Sequence, residues 1–184
     1  YRFAESLGHT IVPTTPALVP LLTSDAYHAA LAGVSQPVEL TIDAREGRAR
    51  RCRGDMLWTH FGVSGPAALD ASRHWLRAQT EGRAPRMRAC FTPGEAFDTV
   101  DQSLRKIGAE RPRLQVSSAL ATRLPAALAA ALVAHAGVPA DEALHSLTRD
   151  ARRRLVHSLT GFELPVARSR GFDPVDQRQR RQVA

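Results

Sequence analysis

The chain has 184 residues, enough for one domain or two small ones and for an apolar core without disulfide or metal staples. A hydrophobic content of 43% with 23% charged residues excludes global disorder. The net charge is +7, of which residues 167–184 carry +3 through Arg168, Arg170, Arg178, Arg180 and Arg181 set against Asp173 and Asp176.

Residues 1–8 read as the last turns of a helix, with Phe3 and Leu7 on one face and Gly8 as its stop. Pro13, Pro16 and Pro20 forbid helix around Ala17-Leu18-Val19. Ser24 or Asp25 can cap a short helix that Gly33 ends. Val38, Leu40 and Ile42 alternate with polar neighbours, the period of a half-buried strand. Glu46-Gly47 signals a turn, so 48–53 is expected to return as a hairpin partner, and 55–59 reads as a further strand. A glycine-rich bend and a helix from Pro66 follow, then a strand through Met87, Ala89 and Phe91.

Near residue 94 the pattern changes to a helical period. Phe97, Val100, Leu104 and Ile107 share one helix face, closed by Gly108. The alanine-rich stretch 118–136 is interrupted at Pro125 and stopped by Gly137, and a short helix is expected over 141–147. Between Leu124 and Ala140 the chain is apolar, yet Pro125, His135 and Pro139 break it below the ~20 residues of a membrane span. Thr148 caps a helix lined by Ala151, Leu155 and Leu159 and ended by Gly161, and 162–167 look extended. The expected fold class is α+β: a β-barrel-like, strand-rich subdomain over 9–93, then a small helical subdomain over 94–161. Residues 162–184 are expected to form a return strand and a basic, mobile tail.

The segment from Gly54 to Ser72 carries the most information. It reads strand, glycine bend, helix N-terminus, with Gly62 and Gly65 permitting positive φ or close approach. Ser64 or Gly65 falls at the N-cap. The free N–H groups at 65–68, less that of Pro66, would face an anion or an electron-rich ligand edge, with Thr59, His60 and Ser64 around the spot. A plain strand-to-helix turn explains the same spacing. A nucleophile elbow is disfavoured because Gly62-Val63-Ser64-Gly65-Pro66 lacks the last glycine, and neither a P-loop nor a dinucleotide fingerprint is present. The seven histidines form no metal-ligand spacing, and Cys52 and Cys90 are not a C-x-x-C pair, so no metal site is expected. Aromatics are 5%, which weighs against a nucleic-acid footprint of interleaved basic and aromatic residues.

Two segments resemble a known family. They are Ala4-Glu5-Ser6-Leu7-Gly8-His9-Thr10-Ile11-Val12-Pro13, continuing to Pro16-Ala17-Leu18-Val19-Pro20-Leu21, and Gly54-Asp55-Met56-Leu57-Trp58-Thr59-His60-Phe61-Gly62-Val63-Ser64-Gly65-Pro66. Both resemble the YhiN/BaiN-like FAD-dependent oxidoreductases, a bacterial family also labelled aminoacetone oxidase family FAD-binding enzymes. Leu124-Pro125, Leu164-Pro165-Val166 and Gly171-Phe172 extend the resemblance to roughly residues 1–172. It implies an FAD domain of Rossmann type interrupted by an insertion that forms a barrel-like and a helical subdomain. This chain would be the insertion, with 1–8 the end of a helix from the flanking FAD domain.

The family's glycine-rich FAD fingerprint is missing, and Cys90-Phe91-Thr92-Pro93 stands where the family often has Asp-Leu-Leu-Pro. The chain also lacks an initiator Met and reads as a piece of a longer protein without a signal peptide, in a cytoplasmic enzyme. By this resemblance FAD belongs to the full-length protein, and the piece alone is expected to bind none tightly and to be inactive. Thr59, Gly62, Ser64, Gly65 and Pro66 would face the flavin or substrate cleft, and His60 would be the catalytic residue. The implied partners are the flanking FAD-binding domain, a small-molecule substrate and NAD(P)H, with no membrane and no nucleic acid. Two alternatives stand beside it: a small basic module that binds RNA or an acidic protein, and a domain that only mediates dimer contacts.

Overall fold

The structure is a computed structural model that describes residues 1–24, 29–43 and 48–171. The expected caps at Asp25, the Glu46-Gly47 turn and the tail from residue 172 lie outside the described residues. Helix α1 (Arg2–Ser6) is followed by an extended, proline-framed segment and strand β1 (Leu21–Thr23). Strands β2 (Ser35–Asp43) and β3 (Arg50–Thr59) pair antiparallel from Ser35↔Leu57 to Ile42↔Arg50. The two strands expected at 48–53 and 55–59 are thus one. Gly54, at φ +153, carries the strand past the break that its sequence suggested. A Cβ there would sit 3.4 Å from the Ala67 nitrogen, so a missing side chain lets a helix lie close.

That helix is α2 (Gly65–Thr80), entered from the short strand β4 (Gly62–Ser64). Its small buried residues, Ala67, Ala68 and Ala71, allow it to press on the core face of β2 and β3, and Trp75 fills the far end. Buried Ser72 is fully engaged: its hydroxyl donates to the Leu69 carbonyl (2.7 Å) and accepts from the Val19 N–H (3.1 Å). It therefore moors the proline-framed segment to α2.

Strand β5 (Arg86–Cys90) pairs with β2, and α3 (Phe97–Glu110), α4 (Val116–Ala121), α5 (Ala126–His135) and α6 (Arg149–Thr160) follow. Pro125 separates α4 from α5 as its missing N–H dictates. Thr148 caps α6 by accepting from the Ala151 N–H at 3.2 Å. Gly108 is a correction: it lies inside α3, buried, where a Cβ would come 3.3 Å from His145 Cα. Its smallness brings the 144–146 turn, a single 3₁₀ turn in place of the expected helix, against α3.

Strands β6 (Phe162–Leu164) and β7 (Val166–Ser169) finish the chain. Among the described residues, seven strands form one antiparallel sheet in the order β6-β5-β2-β3-β4-β1-β7. Its two edges, β6 and β7, are separated in sequence by Pro165 alone. Two residues of chain reach at most ~7 Å, so the sheet must curl until its edges nearly meet. Among the described residues it does not close: no ladder joins β6 to β7, and Pro165 has no N–H to give one. The barrel-like expectation therefore stands as a curled, open sheet. One apolar cluster runs from its inner face, through Leu40, Met56 and Trp58, into Leu128, Leu132 and Leu155 of the helices.

Candidate functional site

Strands β3 and β4 form a tight hairpin, with Thr59 opposite Gly62 and the turn made by His60 and Phe61. The Thr59 hydroxyl donates to the Gly62 carbonyl (3.1 Å), and the Thr23 N–H donates to the Phe61 carbonyl (3.3 Å). The imidazole of His60 is exposed and meets the Phe61 ring edge-on at 5.0 Å. Across Phe61 lies the Arg170 guanidinium, 4.4 Å from the ring centroid, an arrangement that favours a fixed turn. Thus the exposed histidine sits on a turn held from three sides.

Both glycines of the motif are set by packing. A Cβ on Gly62 would stand 2.2 Å from the Leu21 carbonyl oxygen, and one on Gly65 would stand 2.8 Å from the Asp55 carbonyl oxygen. Ser64 occupies the N-cap position of α2 with no side-chain capping bond. Its hydroxyl has no hydrogen-bond partner among the described residues and stays half-buried beside exposed Pro66. Of the sequence-predicted residues, Thr59 is spent on the hairpin, while His60 and Ser64 keep their polar groups available.

A second cluster was not anticipated. Cys52 of β3 and Asp70 and His74 of α2 bring a thiol, a carboxylate and an imidazole within 4.8 Å of one another. Asp70 and His74 are four apart on one helix face, a spacing visible in the sequence; their meeting with Cys52 depends on how α2 lies on the sheet. Burial, and then the hydrogen bond the thiol donates to Asp70, push Cys52 up to about 12. Burial and then the Arg73 charge lower His74 below its ordinary value. The donor types would suit zinc, yet Arg73 already pairs with Asp70 at 2.8 Å, and Arg73 and Arg50 both oppose further positive charge at His74. The cluster ties helix to strand through a neutral thiol.

The clefts lie elsewhere. One of about 420 Å³ runs between the outer sheet face and the loops at 94–96 and 160–161. Two of its three arginines are held by carboxylates, Arg53 by Glu39 and Arg88 by Asp43, while Arg51 lies 3.8 Å from the same Glu39 with its side chain largely exposed. A smaller one of about 220 Å³ is lined by Gln36, whose buried amide has no partner among the described residues. No helix of the described residues is long and apolar enough to cross a membrane.

Among the described residues, a curled antiparallel sheet carrying a four-helix appendage, with a glycine-built hairpin inside the sheet between β2 and β1, defines a barrel-plus-helices module. Residues 15–174 match the model of the HI0933-like protein barrel and H2TH domain, and the chain belongs to that family. This is a family of the YhiN/BaiN kind that the two sequence segments resemble. A ribosomal RNA dihydrouridine synthase of Haemophilus influenzae is 25% identical over 174 residues, 94% of this chain and 40% of that protein. The Escherichia coli protein of the same name is 27% identical over 175 residues, with the same shares. A 3-dehydro-bile acid delta(4,6)-reductase of Clostridium scindens is 32% identical over 93 residues, 50% of this chain and 23% of that protein. The chain therefore spans well under half the length of these relatives.

Proposed function

We propose that this chain is the substrate-side insertion domain of an FAD-dependent oxidoreductase that reduces a carbon–carbon double bond. The family match across residues 15–174 carries the reading. The names of the relatives, a dihydrouridine synthase and a delta(4,6)-reductase, supply the reaction type. A further support is the N-terminal end of the chain. Tyr1, Phe3 and Leu7 are 79%, 78% and 62% exposed on and beside α1, an apolar surface that a flanking FAD-binding domain would cover.

The residues at the hairpin fit a flavin as one wall of a cleft, not as an enclosure. Ser64 offers an uncommitted hydroxyl, and His60 projects from a turn fixed by Phe61 and Arg170. When bound between this domain and its neighbour, FAD supplies the hydride chemistry. Saturating a conjugated double bond also needs a proton, and His60 holds one on an imidazole nitrogen for delivery to the substrate. Ser64 positions the flavin edge or the substrate's polar group, and Gly62, Gly65 and Pro66 hold the wall in shape. NAD(P)H is the reductant this reading requires.

The test is made on the intact gene product. His60→Ala and Ser64→Ala should each keep the flavin absorbance and lose turnover. A His60→Ala protein with unchanged kcat removes His60 from the mechanism.

A further inference from the structure

Strand β2 meets β5 only from Glu39 onward, where it pairs with Cys90. Its first residues, Gln36 and Pro37 among them, pair with β3 alone. Beyond Cys90 the chain leaves the sheet, and the Phe91 N–H donates to the Leu159 carbonyl of α6 at 2.7 Å. A turn then closes with the Glu95 N–H on the Thr92 carbonyl (3.0 Å), and Gly94 takes φ +88 within it. The wedge left between β2 and this turn is the cleft of about 220 Å³, bounded on the helical side by Arg123 and Leu124 just past α4.

The walls are of two kinds. Pro37, Phe91, Pro93 and Leu124 give apolar faces, and the Phe91 ring is held against Phe162 with centroids 5.8 Å apart. Beside them stand Nε2 and Oε1 of Gln36 and Oε2 of Glu95, three buried atoms with no hydrogen-bond partner among the described residues. Gln36 is 4% exposed and shares the inner face of β2 with Val38, Leu40 and Ile42, a position where the alternation calls for an apolar side chain. A buried polar group without a partner destabilises the fold. Three that belong to the walls of one cleft mark a place where a ligand completes them.

We propose that this cleft binds a small, neutral primary carboxamide through Gln36 and Glu95. The donor count selects the class. Two acceptors, Gln36 Oε1 and Glu95 Oε2, call for two N–H donors, and the Gln36 amide nitrogen calls for an acceptor. A primary carboxamide supplies both N–H groups and the carbonyl from one planar group. An ammonium or amidinium ion brings donors and no acceptor. A carboxylate brings acceptors only and meets Glu95 as a like charge. A ring imide has a single N–H between two carbonyls. Charge agrees with the count: Arg123 already donates to Glu95 Oε1 at 2.5 Å, so a neutral ligand leaves the cleft neutral. That bridge, with side chains 41% and 32% exposed, is the way in, since an ion pair so exposed yields to an entering ligand at little cost. The volume would hold about seven waters at ~30 Å³ each, which limits the ligand to one ring or a short chain beside the amide, packed on the apolar walls. The proposal stands apart from the flavin reading and does not depend on it.

The experiment is calorimetric titration of the intact gene product with benzamide, and with benzoate and benzamidine as the matching anion and cation. Wild type should bind benzamide, and bind the other two about tenfold or more weakly. Gln36→Leu should stay folded, with a melting temperature no lower than wild type, and lose about tenfold or more in benzamide affinity, the worth of one to two hydrogen bonds. Glu95→Ala removes an acceptor and leaves Arg123 without its carboxylate, so it should weaken benzamide and strengthen benzoate. Gln102→Leu, at an exposed position of α3, should match wild type. No benzamide binding by wild type, or equal binding of the three compounds, would overturn the proposal. Affinity that Gln36→Leu retains would place benzamide elsewhere and overturn it too, as would a Glu95→Ala protein that binds benzoate no better than wild type. A lower melting temperature for Gln36→Leu would assign the amide to bound water and count equally against it.

Discussion

The hairpin glycine Gly62 offers a direct test of how the site is built. Its φ is +149, and a Cβ would stand 2.2 Å from the Leu21 carbonyl oxygen and 2.9 Å from Leu22 Cα and the Thr23 nitrogen. All three atoms are backbone of β1, so no side-chain rotation relieves the overlap, and β1 must retreat. Retreat breaks the Leu21↔Val63 and Leu22↔Gly62 pairings, at about 1 kcal/mol for each hydrogen bond lost. It also loosens Leu21 and Val63, both 0% exposed, at about 1.5–3 kcal/mol for a side chain fully uncovered. Gly62→Ala should therefore cost about 3–5 kcal/mol, a large share of the ~5–15 kcal/mol that holds a domain folded. Gly82→Ala is the matched control: φ is +73 but nothing lies within 4 Å, leaving only the positive-φ cost of about 1–2 kcal/mol. Urea denaturation followed by the fluorescence of buried Trp58 and Trp75 measures both. If Gly62→Ala costs no more than Gly82→Ala, β1 does not pack on the hairpin as described.

Three further outcomes are expected. Cys52 rises from 9.0 to about 12 in the folded chain, so its thiol contributes stability that is intact below pH 9 and declines between pH 9 and 12. At pH 10 the loss is about 1.4 kcal/mol, and Cys52→Ala should lack it; parallel denaturation curves for the two proteins at pH 8 and pH 10 would contradict this. His74 has the opposite signature: its lowered pKa makes stability complete above about 6.5, the ordinary value, and erode as pH falls through it, a slope that His74→Gln should flatten in acid titration. Gln36 is 4% exposed with neither amide atom partnered among the described residues, so Gln36→Leu should stabilise the fold by about 1 kcal/mol or more, and a drop in melting temperature would show that the amide is satisfied by bound water.

Much of the fold was legible because it is local. The alternation of Val38, Leu40 and Ile42 became β2, the face of Val100 and Leu104 became the buried side of α3, and Thr148 caps α6. What failed to show depends on tertiary approach. Gly54 looked like a break, and only the nearness of Ala67 explains why it continues a strand. Gly108 looked like a helix stop and is a contact with His145. That β6 and β7 occupy opposite edges follows from the curl of the whole sheet, which no window of sequence contains. The spacing of the glycines announced a bend before α2, but not what each residue of the hairpin contacts. Gly62 and Gly65 are there for packing and Thr59 for the turn, while the Ser64 hydroxyl has no hydrogen-bond partner among the described residues and His60 is exposed. The Cys52–Asp70–His74 cluster and the cleft walled by Gln36 and Glu95 join residues far apart in the chain, so individual positions were visible and the assemblies were not.

The central claim is that this chain forms one wall of a flavin site whose remainder lies in a neighbouring domain. A visible absorption spectrum of the purified intact gene product, taken beside that of residues 1–184 alone, tests it most directly. The account predicts flavin absorbance that co-purifies with the longer protein and a colourless isolated chain. A longer product that stays colourless after incubation with FAD would contradict it.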